Sequence, residues 1–428
     1  MKVNEEFLHY VWRYTLFNHF DLCDLEGQEI VIIKKGNYNT NAGPDFLEAQ
    51  IRIGSELWFG SVEFHMKPSD WYLHKHQFDE RYSNVILHVV YSIEKDEKVV
   101  SELNIPTLSL KGRIPIKHLE KYEQFRFEQD MLPCKSHMVN FDVEWLKIYY
   151  ESLLVDRFEG KLKFVEDIYH SCNQNLEETI YRVIARSWGM KVNREAFSVF
   201  AEQTPLKIIR KYREDIDQME ALLFGQSGLL PISPVPSDNV DYWRREYAYL
   251  RTLHTLNPIA KRCWYFFQLR PKAFPTIRIS LWANLLYRVY DFEKELLVVS
   301  LKECFRFLKT IEVSDFWQSH YVFDIDSKKS PKRLGVAGAL NIIINAIVPL
   351  RMFLARRRSV ELNGWDNLLD ELSAFSPENN TVLRSMVYNG FVNENAVHSQ
   401  ALLQLNQKYC ISKKCLNCRV GNKIMRNR

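Results

Sequence analysis

Residues 5–18 place Phe7, Leu8, Val11, Trp12 and Leu16 on one face at steps of three and four, the spacing of an amphipathic helix. Strand-like runs then take over. Glu29–Lys34, Phe46–Ile53, Glu56–His65 and Asn84–Ile93 read as strands, a further one is expected from Lys98 to Leu108, and Gly54-Ser55 reads as a hairpin turn. Lys67–Gln77 reads as a short helix or ordered loop. From Phe141 onward the strand signal fades. Trp145, Leu146, Tyr149, Tyr150, Leu153 and Leu154 step as the buried face of a helix does. Similar steps recur over Ile180–Trp188, Ile208–Phe224, Tyr242–Leu253, Leu281–Tyr290, Glu293–Leu308, Leu334–Leu354, Trp365–Phe375 and Ala396–Leu405. Pro and Gly punctuate between them, as in Gly225–Pro236 and Pro271–Pro275. No fixed-period repeat emerges. The pattern predicts an α+β chain: a mixed module over residues 1–135 (helix, three strands, helix, strand), an all-helical region over 136–405, and a short tail over 406–428.

Composition sharpens this picture. A chain of 428 residues exceeds one ordinary core, and 46% hydrophobic with 13% aromatic residues excludes a disordered polymer. Eight cysteines, five of them scattered singly, exclude a disulfide scaffold and predict a reducing, cytoplasmic setting. The N-terminus carries Glu5 and Glu6 and no clean apolar run, which predicts no secretory leader. Leu334–Leu350 is apolar enough to be mistaken for a membrane span. Its 17 residues include Asn341, Asn345 and Pro349, so a buried core helix is expected and no membrane partner. A net charge of +4 does not by itself point to nucleic acid, but the distribution is uneven. No acid follows Glu394, while Lys408, Lys413, Lys414, Arg419, Lys423, Arg426 and Arg428 do; Arg351, Arg356, Arg357 and Arg358 form another cluster. Arg356, Arg357, Arg358, Lys413 and Lys414 are therefore candidates for contacting nucleic-acid phosphates. A solvated helix face and tail account for the same residues.

Candidate chemistry lies in the mixed module. Asp45 opens one strand, and 17 residues separate it from Glu63 in the next. Side chains alternate along a strand, so Glu63 and His65 share a face. A carboxylate at the start of one strand and another along its hairpin partner can converge on Mg²⁺ or Mn²⁺, which polarises a phosphodiester and acidifies water. Histidines gather here too. Twelve in 428 residues would put fewer than one in a 24-residue window, yet His65, His74, His76 and His88 all lie within residues 65–88. His74-x-His76 with Asp79 three residues on has the ligand types of a transition-metal site such as Zn²⁺ or Mn²⁺. The alternative is a set of histidines satisfied by ordinary hydrogen bonds. His88, inside an apolar run, is either a supporting or ligating residue or a plain buried one. In the tail, Cys410, Cys415 and Cys418 fall within nine residues, a spacing that favours zinc or an iron–sulfur cluster over free thiols. A fourth ligand has to come from elsewhere, with Cys134, Cys23 and His398 as candidates.

Residues 5–93 resemble the PD-(D/E)XK nuclease superfamily, whose core runs helix, three strands, helix, strand. Pro44-Asp45 matches its Pro-Asp element, and Glu63-Phe64-His65 its acid-x-Lys element, with His65 where those nucleases carry lysine. The resemblance implies that Asp45 and Glu63 hold the ion. The lysine it replaces orients the attacking water; a neutral imidazole acts instead as base or ligand. Some nucleases of that superfamily also staple their C-terminus with one distant and three clustered cysteines, a pattern to which the tail here is similar. Over nearly its full length the chain resembles a bacterial family found mainly in Bacteroidetes-like organisms and known only as a domain of unknown function. The residues carrying that resemblance are Gly43-Pro44-Asp45-Phe46, Gly60-Ser61-Val62-Glu63-Phe64-His65, Asp70-Trp71, His74, His76, Val85–His88 and the terminal cysteines. Three functions remain open: a metal-dependent phosphodiesterase acting on nucleic acid with Asp45, Glu63 and His65 as its catalytic set; a non-catalytic nucleic-acid-binding or adaptor protein with a decayed nuclease core; and a zinc-dependent hydrolase built on His65–His88.

Overall fold

The protein is described here by a computed structural model covering residues 3–93, 104–127, 132–232, 237–358 and 363–426. The strand expected from Lys98 begins outside these residues, and Pro236 and Arg428 also lie outside them. The chain is mixed α+β, with a sheet region toward the N-terminus and a large helical region after it. It divides into two units. The first holds Met1–Tyr149 with the returning segments Arg384–Phe391 and Leu405–Arg428; the second holds Tyr150–Leu383 with Val392–Gln404.

The first unit opens with helix α1, Glu5–Tyr14. Asn4 caps it by accepting the Phe7 N–H at 3.0 Å. Thr15 takes a left-handed conformation (φ 52°), so α1 stops there rather than running on to residue 18. The sheet comprises β1 (Leu22–Cys23), β2 (Glu29–Lys34), β3 (Asn37–Tyr38), β4 (Phe46–Ile53), β5 (Glu56–His65), β6 (Val85–Val90) and β7 (Thr107–Ser109). Its order is β1-β2-β4-β5-β6-β7, with β3 paired to β4. β2, β4 and β5 run antiparallel, whereas β6 and β7 run parallel to β5. The crossover from β5 to β6 carries a short helix α2, Asp70–Leu73, as a parallel pair requires. The last six residues of β5 and all of β6 are buried, so both faces of the sheet are covered there. Gly60 makes the β5–β6 approach possible: a Cβ on it would lie 2.5 Å from the Asn84 carbonyl oxygen.

The second unit is built from helices that include Leu176–Trp188, Arg194–Gln203, Ile216–Gln226, Asp238–His254 and Pro275–Arg288. Two helices expected as continuous are broken by caps. Asp215 accepts the Asp217 and Gln218 N–H groups and restarts the helix after the turn at Arg210–Tyr212. Ser300 and Glu303 form a reciprocal capping box that starts Leu301–Lys309. Val336–Arg357 is long and apolar enough to cross a membrane by length and composition, and 67% of its apolar window is buried inside the protein. Asn341 there donates to the Ser187 carbonyl at 2.9 Å and Asn345 to that of Asn341, so its polar atoms are used within the fold.

Candidate metal centre

Register brings the two acids together. Phe46 of β4 opposes Val62 of β5, which sets Asp45 beside Glu63. The Asp45 N–H donates to Glu63 Oε2 at 3.1 Å, and the Phe64 N–H donates to Asp45 Oδ2 at 3.0 Å. A bulge between Phe46 and Ala49, with Glu48 at φ 58°, disrupts the pairing directly beyond this point. Bulges of this kind re-aim side chains beside functional sites.

Three histidines converge on the other side of Glu63. The ligand nitrogens of His65, His74 and His76 all lie within 4.8 Å of one another. His65 Nε2 is 3.1 Å from His74 Nδ1. Glu63 Oε1 faces His76 Nε2 at 3.4 Å and His65 Nε2 at 3.8 Å. Local backbone explains how neighbours two apart aim inward together. His74 caps the end of α2, and Lys75 takes φ 62°, turning the chain before the short 3₁₀ turn that starts at His76. The rings are held by aromatic contacts: Tyr82 stacks on His76 at 3.8 Å between centroids, and Trp71 meets His76 and His88 edge-on.

Behind the cluster, His65 Nδ1 lies 2.8 Å from His88 Nε2, and His88 is fully buried on β6. When His65 keeps the Nε2 lone pair for an ion, its Nδ1–H donates to His88, which fixes ring orientation and tautomer. Burial, reinforced by His88, His76 and His74, pushes His65 down to about 2; burial takes His88 down to about 3. Both imidazoles thus stay neutral at ordinary pH: His88 spends its lone pair on the His65 N–H, and His65 presents its own at Nε2, on the side of the cluster. Burial, and then the neighbouring Asp45 carboxyl, pushes Glu63 up to about 9. Without a cation, Glu63 keeps its proton.

Asp45 also faces a residue the sequence pattern did not single out. His9 Nε2 on α1 stands 3.1 Å from Asp45 Oδ2, its ring edge-on to Phe64. Glu5, one turn earlier, is raised by burial and feels His74, Asp45 and His9. The available signal was an i, i+4 pair of polar residues, Glu5 and His9, along the polar stripe of an amphipathic helix. Asp79 stands apart from the three-histidine set. Its carboxylate takes the Arg81 guanidinium and caps the turn at Glu80–Tyr82, and Arg81 holds it at about 2.

The basic candidates are largely engaged. Arg356 pairs with Glu159 at 3.6 Å and Glu166 at 3.3 Å, Arg358 with Glu293 at 2.5 Å, and Arg357 lies over the Tyr169 ring. Lys413 and Lys414 are exposed. Of the candidate fourth ligands for the terminal cysteines, Cys23 is exposed on β1, and His398 faces Glu394 and the Tyr150 ring. Cys134 is buried in the same unit as Cys410, Cys415 and Cys418.

The residues that build this centre fall within one conserved-domain match, and it decides the affiliation. The chain belongs to the family DUF2851. The match covers residues 5–381, and the family is described as one of unknown function. No curated protein and no solved structure matches the chain. The DUF2851 match takes in α1, the whole sheet and the histidine cluster, and it ends before Cys410, Cys415 and Cys418.

Proposed function

We propose that the protein is a metal-dependent phosphodiesterase whose ion is a transition metal held by His65, His74 and His76. The observation that carries this reading is the convergence of three ring nitrogens beside the Glu63 carboxyl. Three imidazoles favour Zn²⁺, Mn²⁺ or Fe²⁺ over Mg²⁺, which prefers an oxygen shell. Such an ion supplies Lewis acidity at a phosphoryl oxygen and acidifies a water. Glu63 lies next to it as a fourth ligand or as the acceptor of that water's proton. Asp45 Oδ2 and His9 Nε2, 3.1 Å apart without a formed hydrogen bond, are a close pair at the rim that can carry a proton to the leaving oxygen. His88 orients His65 from behind.

The substrate class is nucleic acid. Support comes from the order of elements: a helix, antiparallel strands carrying Asp45 and Glu63, a short helix, and a strand parallel to the second acidic strand. This order resembles that of the PD-(D/E)XK nuclease core, with β1 and β3 in addition. Elemental analysis of the purified full chain, followed by hydrolysis assays with bis(p-nitrophenyl) phosphate and with single- and double-stranded DNA and RNA, tests the proposal. Cleavage that depends on Zn²⁺, Mn²⁺ or Fe²⁺ and disappears in His74→Ala is expected. Metal-replete protein that cleaves none of these substrates refutes it and leaves the cluster as the structural centre of a binding protein.

A further inference from the structure

We infer that Cys134, Cys410, Cys415 and Cys418 form a second, tetrathiolate metal centre that fixes the C-terminal segment against helix α1. Its ligand is a thiophilic metal, Zn²⁺ or the iron of an iron–sulfur cluster, distinct in chemistry and position from the histidine site.

The four thiols come from four short elements of one unit. Cys134 precedes the turn Lys135–Asn140, and Cys410 ends the turn Asn406–Cys410. Cys415 begins the turn Cys415–Asn417, and Cys418 precedes helix Arg419–Arg426. All are free thiols. They lie near enough for charge on one to oppose charge on another: Cys410 feels Cys418, Cys134 and Cys415, and Cys134 feels Cys418 and Cys415. Cys134 and Cys418 are 8% and 7% exposed.

The backbone around Cys418 is arranged for a negatively charged sulfur. The Val420 and Gly421 N–H groups donate to it, and the Tyr149 hydroxyl lies 3.7 Å away. Gly421 packs against the Cys415 carbonyl so closely that a Cβ would come within 2.0 Å of its oxygen. A tight knuckle with N–H donors aimed at sulfur suits a metal-bound thiolate better than a neutral thiol, whose sulfur accepts only weakly.

The knuckle also touches the element that supplies His9. Asn417 Nδ2 donates to Glu6 Oε1 at 3.1 Å, and Leu416 and Asn417 line a small cavity with Glu6, His9, Tyr10 and Tyr38. Tyr10 OH reaches the Asn422 carbonyl at 3.5 Å. A metal that closes the knuckle therefore braces the outer face of α1.

The test uses the full chain purified without oxygen. Metal analysis and the visible spectrum separate the two metal classes: an iron–sulfur cluster is coloured, and zinc is colourless but exchangeable for Co²⁺, which shows a sulfur-to-cobalt charge-transfer band. Cys134→Ser and Cys418→Ser should lose this signal, while Cys304→Ser and His74→Ala keep it. Because histidine ligands give no sulfur band, failure here is separable from failure of the phosphodiesterase reading. A wild-type protein with neither a cluster spectrum nor a sulfur-to-cobalt band overturns the inference, as does Cys134→Ser with an unchanged signal. The wild-type spectrum decides the matter even if the cysteine variants do not fold.

Discussion

Glu220 is fully buried in the helix Ile216–Gln226, where the Ser280 hydroxyl donates to Oε1 at 2.6 Å and the Ser314 hydroxyl to Oε2 at 2.8 Å. Burial pushes it from an ordinary 4.5 up to about 8, against the pull of the two hydroxyls. The folded chain therefore binds this proton more tightly than the unfolded chain does. Stability from this group is complete below pH 4.5 and is lost as pH rises through about 8. At about 1.4 kcal/mol per pH unit, the loss is roughly 3 kcal/mol by pH 7 and roughly 5 kcal/mol once both states are ionised. Glu220→Gln keeps the shape and removes the titration. It forfeits one hydroxyl-to-oxygen bond at every pH, a constant offset of about 1 kcal/mol. The decisive quantity is therefore the pH dependence of the difference between the two proteins. Urea denaturation followed by tryptophan fluorescence at pH 5, 6, 7 and 8 should show the Gln variant gaining on wild type by about 1 kcal/mol for each pH step. A difference that stays flat over this range refutes the argument, and one that grows toward low pH reverses its sign.

His88→Ala removes the group behind His65 and should weaken metal affinity about 10- to 100-fold while leaving the ligand set in place, as measured by competition with a chromophoric chelator. Asp79→Asn should leave bound metal unchanged, because Arg81 already occupies that carboxylate. Gly60→Ala drives a methyl to within 2.5 Å of Asn84 O and Ile86 Cγ2, prying β5 from β6; a loss of about 1–3 kcal/mol is expected in thermal unfolding. Lys332→Met strips the ammonium from the carbonyls of Trp317, Gln318 and His320 and should destabilise the protein by about 2–4 kcal/mol, whereas Lys332→Arg should recover part of the loss.

The parts of the site that were legible in the sequence are those set by local periodicity. The strands around Asp45 and Glu63, and the shared face of Glu63 and His65, follow from alternation. The abundance of histidine marked His74 and His76 before any geometry was known. What remained hidden depends on partners distant in sequence. His9 looks like one more polar residue on the solvent stripe of an amphipathic helix until α1 is laid beside Asp45. Asp79 looks like a ligand until Arg81, two residues on, is seen to take it. Arg356 and Arg358 look like a phosphate-binding cluster, but their counter-charges, Glu159, Glu166 and Glu293, come from other helices. The tail looks like a separate appendage. Leu405–Arg428 in fact groups with the N-terminal unit, because its apolar positions Leu416, Val420, Ile424 and Met425 are buried there.

Histidine at position 65, where the nucleases that this segment resembles in sequence carry lysine, sets the charge balance of the whole centre. A lysine beside Asp45 and Glu63 brings a permanent positive charge, so both acids can remain ionised and still accept a hard cation. His65, buried to 1% exposure and surrounded by other imidazoles, stays neutral and brings none. The acids then need another source of balance. Glu63 finds it by keeping a proton, and Asp45 by accepting the Phe64 N–H and facing His9. The ring nitrogens of His65, His74 and His76 can donate lone pairs, as an ammonium cannot. They add affinity for an ion of borderline softness without cancelling its charge. A dication entering this set can displace the Glu63 proton, and its own charge then balances the two carboxylates. On the proposed reading, the neutral His65 and the neighbouring His74 and His76 work as one device: the positive charge that the two carboxylates need is supplied by the ion that the imidazoles bind.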